Sequence, residues 1–129
     1  MIAVPKPTRN RPRKASKNKC MDLAKKICRA KLFCLCCGLP DGPNHNIEAA
    51  HIIPCRYWNT AADTWNLVPL GHSCHSYFTD HPMEFEEFID KHYPGRRKVL
   101  YAIARVKKTI DWDAIWERLQ GEAKVAGVL

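Results

Sequence analysis

Four side chains of this sequence could act on one substrate: Glu48 and His51 in IEAAHIIP, Asn66 in WNLVPL, and His75 in GHSCHSYF. An unperturbed histidine titrates near ~6.5 and can take a proton from water at neutral pH. His51 is therefore a candidate base, while Glu48 and His75 offer an oxygen and a nitrogen to a divalent cation. Hydrolysis of a phosphodiester needs a base for the attacking water, a cation to stabilise charge on the phosphoryl and leaving oxygens, and rigid placement of both. The Asn66 amide could supply rigidity by hydrogen-bonding backbone across the loop between the two apolar runs. A lone histidine in an apolar run is more often a satisfied core residue, but His51 comes in ordered company.

Cysteine adds a second chemistry. Cys34 and Cys37 in CLCCG have the spacing of a zinc knuckle, with Gly38 permitting the turn. A second knuckle would place cysteines at 71 and 74, where the chain has Gly71 and Cys74. Zinc asks for four ligands, so His72 could replace the missing thiolate, Cys55 could swing in from its loop, or the site could be degenerate. Cys36 should point away from the metal. Cys20 and Cys28 read as small buried apolar residues, and His45 and His92 as surface residues. Use of Cys34 and Cys37 for redox work is disfavoured, since no βαβ pattern surrounds them.

The elements that must position these groups follow from periodicity. NIEAAHII is short, apolar and bounded by turn residues, which predicts a buried strand ended by Pro54. WNLVPL predicts a second. The interval between them is too short for a parallel crossover, so the two should pair antiparallel. Upstream, Met21, Ala24, Ile27 and Cys28 recur at helical spacing. Downstream, a helix should start at Pro82 with Phe85, Phe88 and Ile89 inward. Another should carry Val99, Leu100, Ile103 and Val106, and a last one, capped by Asp111, should bury Trp112, Ile115, Trp116 and Leu119.

The chain has 129 residues, seven cysteines and a net charge of +8. That length supports one domain with a modest core. Residues 1–19 hold Lys6, Arg9, Arg11, Arg13, Lys14, Lys17 and Lys19 and no acid, so they are expected to form a flexible arm that binds phosphate. A second basic segment, with Lys91, Arg96, Arg97, Lys98, Arg105, Lys107 and Lys108, has no acid across residues 91–108. Two such segments favour a polyanionic partner. The basic N-terminus lacks the apolar stretch of a secretory leader, and no run approaches the ~20 apolar residues of a membrane span. Reduced thiols, metal and a cytoplasmic location are the expectation.

The order EAAHIIP, then Asn in WNLVPL, then CH after a cysteine-type turn resembles the His-Asn-His (HNH) endonucleases. It is most similar to their phage NinG or Rap recombination branch, and FIDKHYPGRRKVLYAIARVKKTIDWDAIWERL resembles that branch's helical tail. The resemblance implies an α+β fold: a ββα-metal core at about 32–82, braced by the zinc knuckle, and a helical part at about 83–121, within a nuclease domain spanning 20–129. It also implies His51 as general base, Asn66 as the loop-fixing residue, and His75 as a ligand of a catalytic Mg2+ or Mn2+.

Two departures stand out. Many HNH enzymes carry a metal-ligating Asp or His just before the base, where this chain has Ala50. Glu48 fits the acid-x-x-His pattern of the NinG-like branch, but residues 48 and 51 face opposite sides of a regular strand, so a bulge or strong twist between Ala49 and Ala50 is expected. Gly71 stands where a cysteine is usual. His81, where that branch often has Asn, is a further candidate for metal or phosphate contact. The implied partner is branched or recombination-intermediate DNA in a phage or prophage setting, held through Arg9, Arg11, Arg13, Lys14, Lys17, Arg96, Arg97 and Lys98, with a homodimer needed if both strands of a junction are cut. The alternative is a zinc-stabilised nucleic-acid-binding module that has lost catalysis.

Overall fold

A computed structural model describes residues 15–43 and 45–129. The fold is α+β: an antiparallel pair, β1 (Ile47–His51) and β2 (Leu67–Gly71), with six α-helices among the described residues. Pairing runs unbroken from Ile47 opposite Gly71 to His51 opposite Leu67. The expected bulge between Ala49 and Ala50 is therefore absent, yet Ile47 and Ala50 both enter the core of Val68 and Leu70, so burial along the strand does not follow strict alternation.

All five residues of β2 are buried. Both faces of the strand are covered, which is why LVPL is a continuous apolar run. Val68 and Leu70 face a core with Phe78 of α3 (His72–Asp80), Ile89 of α4 (Pro82–His92) and Leu100 of α5 (Arg96–Ala104). Leu67 belongs to a second core, with Leu23, Ala24 and Cys28 of α1 (Lys17–Arg29) and Leu119 and Ala123 of α6 (Trp112–Ala126). Pro69 has no N–H for a ladder, but its carbonyl accepts from the Leu35 amide at 2.8 Å and so docks the cysteine knuckle against β2.

Helix ends follow local chemistry. Ser16 Oγ accepts from the Lys19 amide at 3.2 Å and starts α1, and Asp111 Oδ1 accepts from the Ala114 amide at 3.1 Å and starts α6. Pro82 opens α4, and Pro94 with Gly95 separates it from α5. Cys28 is structural, since burial pushes its thiol up to about 11 despite Lys31 and Arg29. Cys20 is also buried, its thiol donating to the Trp112 carbonyl at 3.4 Å.

The structure departs from expectation at three helices. Helix α1 begins at Lys17, so Lys17 and Lys19 belong to it and not to an arm; their ammonium groups lie 4.5 Å over Trp58 and 4.6 Å over Trp116. In α5 the buried positions are Leu100 and Ala104, while Val99 and Ile103 are exposed, and the helix ends at Ala104, short of the exposed Val106. Helix α6 continues through Gly121 to Ala126. No helix among the described residues is long and apolar enough to cross a membrane.

Candidate active site and metal centre

The loop between β1 and β2 carries a one-turn helix, α2 (Trp58–Ala61), and is closed by Asn66. The Asn66 side chain is fully buried. Its Oδ1 accepts from the Ile53 amide at 2.7 Å, while Nδ2 donates to the carbonyls of Ile53 at 3.0 Å and Thr60 at 3.1 Å. The amide thus joins both flanks of the loop. The last carbonyls of a helix lack intrahelical partners, and that of Ala61 accepts from His51 Nε2 at 2.9 Å. A carbonyl oxygen can only accept, so Nε2 carries the proton and Nδ1 is left with the free lone pair. Burial lowers the pKa of His51, more than the Ala61 bond raises it, and Lys25 and His75 lower it further.

Glu48 lies between two imidazoles. His75 Nδ1 donates to Oε1 at 2.8 Å and His72 Nδ1 to Oε2 at 3.0 Å. Burial acts to raise the Glu48 pKa, but these two bonds and the charge of the imidazoles outweigh it, and the carboxyl is held below its usual range. The proton on His75 Nδ1 occupies this 2.8 Å contact, so a cation held by Glu48 and that nitrogen would have to displace it. An open depression lined by His75, Ser76, Thr79 and Asp80 adjoins His75.

His81 is not brought to this pair. Six residues beyond His75, it is the C-cap of α3, with non-helical φ −131° and ψ 68°. Its Nδ1 donates to the Tyr77 carbonyl at 2.8 Å, and its ring stacks on Tyr77 with centroids 4.1 Å apart. His92 is an exposed residue bonded to the Phe88 carbonyl at 3.0 Å.

Cys34, Cys37 and Cys74 form a group that could hold a metal such as zinc, their sulfurs within 4.8 Å of one another. Burial would raise the Cys34 thiol, but the amides of Cys37, Gly71 and Cys36 and the Cys37 side chain bring it down to about 7. Cys74 moves the other way, raised by burial and by the neighbouring Cys34. His72 is not a member of the group. It sits two residues before Cys74 on α3, about 200° away around the axis, and is turned to Glu48. Cys55 is exposed and also outside it. Cys36 is exposed and lies outside the group.

Sequence reasoning missed His45. Its Nε2 lies 3.2 Å from Cys37 Sγ, and its ring fills the space beside Gly71. The available signal was the strand register: Gly71 pairs with Ile47, so the residues just before β1 must lie beside the start of α3.

The basic segment is partly neutralised from within. Arg97 grips both carboxylate oxygens of Asp90 at 3.0 Å and Glu86 at 2.8 Å. Both acids are on α4, just outside the acid-free stretch. The Arg96 guanidinium packs over Tyr93 at 3.9 Å and Trp65 at 4.5 Å. Lys98 is exposed, while Arg9, Arg11, Arg13 and Lys14 lie outside the described residues. A scan against protein-family models and searches of curated proteins and of solved structures give no match to this chain.

Proposed function

We propose that the chain is a metal-dependent endonuclease of the HNH type that hydrolyses DNA phosphodiesters. The observation that carries this reading is the state of His51: Nε2 is committed to the Ala61 carbonyl, the loop bearing that carbonyl is closed by Asn66, and Nδ1 keeps the lone pair that a general base needs. In this mechanism Nδ1 takes a proton from the attacking water, while the Ala61 carbonyl stabilises the imidazolium that forms. Glu48 and His75 would hold the catalytic cation. When bound, Mg2+ or Mn2+ supplies charge stabilisation at the phosphoryl and leaving oxygens. A structural zinc at Cys34, Cys37 and Cys74 would tie the knuckle to α3 and offset the small core.

Branched or recombination-intermediate DNA is the proposed substrate, held by backbone contacts from the basic arm and from Lys98. A junction cut on both strands needs two such sites, hence a homodimer. The second reading, a zinc-stabilised module without catalysis, is favoured by Ala50, which is buried and places no ligand atom next to His51.

The deciding experiment is cleavage of labelled branched, single-stranded and duplex DNA with Mg2+ or Mn2+, beside a His51→Ala control. Cutting that vanishes in the variant while DNA binding persists supports the nuclease. Binding without cutting under either metal supports the inactive module.

A further inference from the structure

We propose that His45 is the fourth ligand of a tetrahedral zinc site completed by Cys34, Cys37 and Cys74, and that residue 71 is glycine to make room for its imidazole. This deepens the structural-zinc reading and rests on it.

The first support is distance. Ligands around tetrahedral zinc, with bonds of ~2.3 Å to sulfur and ~2.0–2.1 Å to nitrogen, lie ~3.8 Å apart for two sulfurs and ~3.6 Å for sulfur and nitrogen. The three sulfurs fall within 4.8 Å of one another, and His45 Nε2 is 3.2 Å from Cys37 Sγ. His45 lies beyond 4.8 Å from at least one of the other two sulfurs, so its ring must swing inward from Cys37 to share a metal with all three.

The second support is Gly71. Its backbone, at φ −63° and ψ 154°, lies where any residue is comfortable. Conformation therefore does not demand glycine here, but space does. A Cβ on residue 71 would sit 1.9 Å from His45 Cε1, 2.1 Å from Nε2 and 2.5 Å from Nδ1. Any side chain at 71 would have to push the ring out of the place it occupies beside Cys37. A cysteine at 71 and a histidine at 45 are thus mutually exclusive donors to one metal, and this chain carries the histidine.

The loop delivers the ring in a fixed position. Gly42 and His45 exchange backbone bonds at 3.4 and 3.1 Å, Asp41 Oδ1 accepts from the Ile47 amide at 2.9 Å, and the Asn46 carbonyl accepts from the His72 amide at 2.9 Å. The rival donor is Cys36, which lies between the two knuckle cysteines.

Zinc X-ray absorption on the full-length wild-type protein, after its zinc content has been measured, tests the proposal without any variant. Three sulfurs and one nitrogen with imidazole outer-shell scattering is the expected result. A four-sulfur shell, which would point to Cys36, or three sulfurs and a water oxygen, would overturn His45 while leaving the zinc reading intact. A chain that binds no zinc overturns both.

Variants add a second readout, zinc affinity by chelator competition. His45→Ala and Gly71→Ala should each weaken binding by roughly tenfold or more, the scale on which even groups outside the ligand shell act. Combining the two should add little, because both remove one ligand. His45→Ala with Gly71→Cys should recover most of the affinity, and its cobalt derivative should show the absorption of a four-thiolate site. Unchanged affinity in Gly71→Ala would contradict the proposal.

Discussion

Asn66 and Ile53 exchange two hydrogen bonds through one side chain: Oδ1 accepts from the Ile53 amide at 2.7 Å and Nδ2 donates to its carbonyl at 3.0 Å. With the further bond to Thr60, a fully buried amide satisfies three backbone groups. Asn66→Ala would leave the Ile53 amide and carbonyl without this partner, at about 2–4 kcal/mol for the two, while the Thr60 carbonyl keeps the Asp63 amide at 3.1 Å. Asn66→Asp keeps the acceptor but sets a carboxylate against two carbonyls, so it should be at least as harmful at neutral pH and milder in acid. Denaturant melts at two pH values check this; an Asn66→Ala midpoint equal to wild type would show that the loop is held by something else.

The strand pair, the helices after Pro82 and the partnership of Cys74 with the knuckle were legible because each follows from spacing within a short stretch. What was not legible depends on register or on packing between elements. His45 reaches Cys37 only because antiparallel pairing sets Ile47 opposite Gly71. His72 looked like a zinc donor by its place beside Cys74, but helical rotation turns it to Glu48. Residues 91–108 read as uniformly basic until the turn at Pro94 and Gly95 folded α5 back onto the acids of α4.

His51 should govern a pH dependence. Burial, with Lys25 and His75, lowers its pKa in the folded chain below the ordinary ~6.5 despite the Ala61 bond. The unfolded chain then binds the proton more tightly, so this histidine's contribution to stability is present above ~6.5 and is lost as pH falls through the folded pKa. Cleavage should follow the same sense, with an acid limb whose midpoint lies below ~6.5 and a flat region above it. An NMR titration of the imidazole locates the midpoint directly. A midpoint above ~6.5 would contradict the buried, neutral state.

Glu48 and His72 can be separated by metal titration. If Glu48 and His75 hold the cation, Glu48→Ala should raise the Mg2+ or Mn2+ concentration needed for half-maximal cleavage by roughly 10–100-fold or more. His72→Ala, which removes only the second imidazole on the carboxylate, should change it much less. Equal effects from the two variants would mean that the carboxylate serves to join imidazoles and not to bind metal.

Chelation should destabilise the protein. A zinc bound to the folded chain and not to the unfolded one adds stability that grows with the logarithm of free zinc over its dissociation constant. Stripping zinc from the reduced protein should therefore lower the melting temperature, and adding zinc back should restore it, with magnesium unable to substitute for it on thiolates. A melting curve insensitive to chelation would return Cys34 to the core, where its side chain is already fully buried.

The basic arm can be tested cleanly if the cut respects α1. Removing residues 1–19 would also delete the Ser16 cap and two lysines of the helix; ending the deletion at residue 14 leaves both in place. Each phosphate contact contributes about 0.9 to the slope of log affinity against log salt on duplex DNA. Loss of Lys6, Arg9, Arg11, Arg13 and Lys14 should flatten that slope by several units if the arm lies on the backbone. Arg97→Ala should barely change it, because that guanidinium is already spent on Asp90 and Glu86, and should instead loosen the packing of α5 on α4. The reverse pattern, a slope set by Arg97 and indifferent to the arm, would move the DNA surface to α5.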